Sequence, residues 1–127
     1  MKTATTIAQM LLRLAGLIAI VLGLLFWTGN FLQLLPIHML AGFVVVLSLW
    51  TLAGLAARAG VPIGLVALAI VWGLIVPILG MTQNQLLPGS AHWVIQVLHL
   101  LLGAGAIGQG EGLAARIKRA RTLASQT

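Results

Sequence analysis

Three histidines, His38, His92 and His99, are the residues of this chain best suited to holding a metal or cofactor. A neutral imidazole nitrogen ligates iron, copper or zinc and is a common axial ligand of haem. His92 and His99 are seven residues apart, nearly two helical turns, so on a helix they share a face. That face continues through Gln96, Gly103, Ala106 and Gly110. The opposite face carries Val94, Val97, Leu98, Leu101 and Leu102 and suits lipid. His38 and His99 are each followed four residues later by a glycine, Gly42 and Gly103. On a helix this leaves bare backbone one turn from the imidazole, where a flat porphyrin could approach. The competing explanation is packing: Gly16, Gly23, Gly64, Gly73, Gly103 and Gly110 could simply let helices come close.

Other chemistries are narrowed by what the chain lacks. It has no cysteine, which removes disulfides, iron–sulfur clusters, thiolate metal sites and c-type haem attachment. Glu111 is the single acid, and it lies outside the expected spans. Proton-coupled transport usually relies on a buried carboxylate, so a transporter-like reading is weakened, although His, Gln33 and Gln96 could line a path. Met10, Met39 and Met81 are scattered, without the paired spacing that would suit Cu(I).

These side chains must be positioned by membrane helices. The chain of 127 residues is 61% hydrophobic and 6% charged, with a mean hydropathy of +1.13. A soluble domain is about 25% charged, so the composition predicts an integral membrane protein of one domain. The basic balance, net +6, is an orientation signal rather than a nucleic-acid footprint. A span needs about 20 apolar residues, and four fit: 5–27, 31–57, 62–79 and 90–108, followed by a basic tail over 109–127. The fold class is therefore all-α, a four-helix transmembrane bundle. The apolar start imitates a signal peptide but lacks a small-residue cleavage site, so it is read as a mature helix. Pro36 leaves the start of the second helix open between Phe31 and Pro36, and Pro77 should distort the end of the third. The tail is expected to lie as a helix on the membrane surface.

Lys2, Arg13, Arg58, Arg116, Lys118, Arg119 and Arg121 all fall on one side of a four-span layout, and the two opposite loops carry no charge. The positive-inside rule then places both termini in the cytoplasm. Trp27 and Trp93 fall at the outer interface, while Trp50 and Trp72 are deeper. Arg13 lies inside the first span. It either snorkels to the cytoplasmic interface or pairs with an anion in the bundle, such as a haem propionate. Glu111 should serve as a surface partner for the tail bases.

The second and fourth helices run in the same direction, so all three histidines lie in the outer half. If the second helix starts at Pro36, His38 is as shallow as His92; if it starts near Phe31, His38 matches His99. The repeated His-x-x-x-Gly favours His38 with His99 as metal ligands, with His92 as the alternative.

This layout resembles the four-helix bacterial b-type cytochromes of the inner membrane. The resemblance rests on span count, topology, and His38, His92 and His99 with their glycines. It implies haem b on histidines of facing helices, electron transfer with quinol or quinone, and a place in the bacterial inner membrane. Three histidines allow one haem per chain, and a second only if subunits share ligands. Cofactor-binding candidates are His38, His99, Gly42, Gly103 and Arg13. Any enzymatic role would be that of a haem-dependent membrane oxidoreductase. Four short helices cannot cover a porphyrin about 10 Å across, so a homo-oligomer, a dimer first, is expected. The alternative is a cofactor-free small subunit or transporter-like protein.

Overall fold

The computed structural model describes residues 2–127 and contains four α-helices. They are α1 Lys2–Trp27, α2 Leu35–Arg58, α3 Ile63–Thr82 and α4 His92–Ser125. Each is long and apolar enough to cross a membrane. Neighbours in sequence pack as neighbours in space, and α4 closes the ring against α1. α2 also packs on α4, which runs parallel to it across the bundle. That diagonal contact is what allows residues of α2 and α4 to meet.

Large side chains fit into glycine notches on the facing helix. The Trp50 indole of α2 lies against Gly73 of α3 and donates through Nε1 to the Ile70 carbonyl at 3.2 Å. Trp72 of α3 lies against Gly105 of α4 and donates to the Leu102 carbonyl at 2.8 Å. A Cβ added at Gly105 would come within 2.8 Å of the Trp72 ring. Both indole N–H groups thereby find acceptors in an apolar interior, where an unpaired donor is costly. On the α1–α4 side Ile107 fills Gly16 and Leu12 fills Gly110. The core is built from Leu12, Leu49, Leu52, Ala106, Leu113 and Ile117. Val94, Leu98 and Leu101 are exposed, as expected for the lipid face of α4.

The helix boundaries differ from the sequence expectation in three places. Leu32–Leu34 forms a 3-10 turn behind Phe31, whose φ is 58°, and α2 starts at Leu35 with Pro36 in its first turn. The later start therefore applies, because the turn uses up the residues from 31 to 34. α3 passes Pro77 and continues to Thr82, so Gly80 is helical rather than part of the loop. The largest departure is α4, a single helix of 34 residues. The segment after Gly108 does not turn onto a surface. Leu113, Ala114 and Ile117 are buried in the core, so the apolar stripe of the tail is used against the rest of the bundle.

Candidate functional site

His38 is the fourth residue of α2 and His99 the eighth of α4. Their offset compensates for the different heights at which the two helices start, since four residues correspond to roughly 6 Å of rise. The two imidazoles lie with ring centroids 6.3 Å apart and planes at 62°. Both are half-buried. Phe26 of α1 closes one side, with its ring centroid 5.4 Å from that of His38 in an edge-on arrangement.

Nδ1 of His38 and Nδ1 of His99 are shielded from solvent and make no well-formed hydrogen bond, although the Ala19 backbone of α1 reaches the His38 ring. Buried polar atoms are normally paired, and Gln109 Oε1 is the third exception among the described residues.

The glycines divide the work differently from the sequence expectation. At Gly42 and Gly103 an added Cβ would meet nothing within 4 Å, so both leave open space one turn along from their histidines. The glycines touching the imidazoles come from the other two helices. A Cβ at Gly23 of α1 would lie 3.4 Å from Cε1 of His38, and one at Gly80 of α3 would lie 2.9 Å from Cε1 of His99. Sequence reasoning missed Gly80 because the segment reads as a polar loop. It treated Gly23 only as a packing residue, since a contact between helices leaves no local pattern.

His92 does not join the pair. Its Nδ1 lies 3.1 Å from the Leu86 carbonyl, which ties the start of α4 to the preceding loop. Arg13 is also elsewhere. Its Nε donates to Oε1 of Glu111 at 2.5 Å and its Nη2 to Oε2 at 2.9 Å. Gln9 Nε2 donates to the same carboxylate at 2.6 Å, and Lys118 Nζ donates to Gln9 Oε1 at 2.6 Å. Farther along, Arg121 Nη2 donates to Thr5 Oγ1 at 2.9 Å. Arg13 is thus occupied by Glu111, ten residues along α1 from Gly23, or roughly 15 Å. Glu111 in turn is an interhelix partner rather than a surface one.

Among the described residues no group of three or more His, Cys, Asp or Glu side chains is gathered to hold a metal ion. A bare ion normally needs at least three protein ligands. No protein-family model matches the chain, and comparison with curated proteins and with solved structures finds no match.

Proposed function

We propose that this chain is a membrane-embedded haem b protein acting in electron transfer, with His38 and His99 as axial ligands. The observation that carries the reading is the meeting of two half-buried imidazoles from parallel helices, each with an unpaired nitrogen. When bound, haem b supplies a one-electron ferric–ferrous couple. His38 and His99 would hold the iron. Phe26 keeps water from the His38 side, and Gly42 and Gly103 leave backbone-level space beside each ligand. Gly23 and Gly80 hold the two rings in place from outside.

The surrounding assignments belong to the same proposal. Both termini are cytoplasmic, because all seven bases lie at the terminus-bearing end. The haem then sits toward the outer face of a bacterial inner membrane. Quinone approaches at the polar turn of Gln83, Asn84 and Gln85, and a second copy of the chain covers the ring edge. A cofactor-free packing role for the histidines is the second reading. It is favoured by the edge-on contacts that His38 already makes with Phe26 and His99.

An absorption spectrum of the detergent-purified protein separates the two. The proposal expects a red preparation with a low-spin Soret band. His38→Ala or His99→Ala abolishes that spectrum or leaves a five-coordinate one, while His92→Ala retains it. A colourless protein that stays colourless after haem addition rejects the proposal. Reporter fusions at Asn84 and Thr127 should read outside and inside respectively.

A further inference from the structure

A second feature lies on the opposite flank, between α3 and α4. An open groove of about 440 Å³ runs there, walled by Leu65, Leu68 and Trp72 on one side and floored by Gly105, Gly108 and Gly112 on the other, with Gln109, whose Oε1 has no hydrogen-bond partner, also in its lining. At Gly108 an added Cβ would meet nothing within 4 Å, so the floor is bare backbone there, while the Trp72 ring covers Gly105 and the Arg116 guanidinium lies over Gly112. Arg116 also lines the groove, at its terminus-bearing end. Its only hydrogen bond is from Nη1 to the Gly112 carbonyl of its own helix, at 3.1 Å. No carboxylate is left for it, because the chain's one acid is held by Arg13 and Gln9.

Depth decides what such a groove can hold. Counted from Trp27 and Trp93, a hydrocarbon layer that takes about 20 helical residues to cross ends near Ala8 on α1 and Leu113 on α4. The glycine floor then lies inside the layer, and Arg116 stands at the level of the headgroups. An apolar channel ending in an uncompensated guanidinium at that level complements one molecule well: an acyl chain over Gly108 and a phosphate at the arginine. Guanidinium binds phosphate through paired N–H donors. α3 begins beside the same mouth at Ile63, with neither a side-chain cap nor an acidic residue in its first turn to compete for the cation. The smaller groove between α1 and α2, about 210 Å³, has only apolar lining residues such as Leu14, Ile18 and Leu40 and no cation at its mouth.

We propose that the α3–α4 groove is a binding site for one anionic glycerophospholipid, with its acyl chain over Gly108 between Leu65 and Leu68 and its phosphate on Arg116. The site does not depend on the haem reading. Native mass spectrometry of the full chain in mild detergent tests it, with phosphatidylglycerol and phosphatidylcholine of identical chains as probes. Phosphatidylglycerol should be retained several-fold better. Arg116→Gln should bring its retention down to that of phosphatidylcholine, and Arg119→Gln, a base that does not line the groove, should leave it unchanged. Gly108→Leu should remove retention of both lipids, with helical circular dichroism showing that the variant folds. Inorganic phosphate in excess should not displace the lipid. Equal retention of the two lipids, indifference to Arg116→Gln or Gly108→Leu, an Arg119→Gln loss as large as that of Arg116→Gln, or displacement by free phosphate would each overturn the proposal.

Discussion

The two ends of this bundle treat polar side chains in opposite ways. At the terminus-bearing end, Arg13, Glu111, Gln9 and Lys118 satisfy one another through side chains on α1 and α4. At the other end, His38 and His99 come together on α2 and α4 and leave two nitrogens without partners. The first arrangement holds two helices together and asks for nothing more. The second costs the fold something, since an unsatisfied buried polar atom is destabilising by about 1–3 kcal/mol. Gln109 Oε1 of α4 is the third such atom among the described residues, but only at the histidines do two of them lie on adjacent rings.

The contrast can be broken most forcefully through packing. Gly110→Leu at the charged end should be the most damaging substitution, because Leu12 already fills that notch and is fully buried. A loss of about 3 kcal/mol is expected from overpacking, read as a lower midpoint in a denaturing-detergent titration. The equivalent Gly64→Leu, with open space around it, should cost little.

Next in size is the charged cluster itself. Glu111→Leu leaves Arg13 and Gln9 without their shared acceptor and should lower the midpoint. The side chains are 55% and 33% exposed, which keeps the effect below that of a deeply buried pair. Adding Arg13→Leu should recover most of the loss in the same titration. If the double variant is no better than the single one, the pair is not what links α1 to α4.

The sharpest form of the comparison is the opposite sign at the histidines. In haem-free protein, His38→Leu with His99→Leu should stabilise the fold by about 1 kcal/mol, because two unsatisfied nitrogens disappear. The same double variant should lose all low-spin haem absorbance. Destabilisation by this change would mean that the imidazoles are structural. The smallest effect is that of salt. Raising sodium chloride to about 0.5 M should shift the midpoint only slightly, since screening reaches the exposed part of the Arg13–Glu111 pair alone. In the Glu111→Leu variant that shift should vanish.

Much of this architecture is legible in the sequence, for identifiable reasons. Four apolar runs separated by Gly, Pro and Asn announce the helices, because hydropathy over twenty residues is a one-dimensional signal. The shared face of His99, Ala106 and Gly110 follows from helical period alone, and the structure turns Ala106 and Gly110 into the bundle. What stays hidden is contact between helices. Nothing local in Gly80 says that it abuts His99, and nothing in Arg13 says that its partner is Glu111. The length of α4 was hidden by composition. Arg116, Lys118, Arg119 and Arg121 make the tail look solvated, although Leu113, Ala114 and Ile117 keep an apolar stripe through it.

The separation in sequence between Arg13 and Glu111 also bears on how the protein is made. The two residues are 98 positions apart, and at translation rates of about 5–20 residues per second the arginine precedes its partner by roughly 5–20 s. During that interval α1 carries a guanidinium with no carboxylate anywhere in the nascent chain, which disfavours settling that helix fully into lipid. The ribosome therefore delivers the counter-ion last. A chain truncated before residue 111 should therefore leave α1 more easily extracted from the membrane than it is in the full chain.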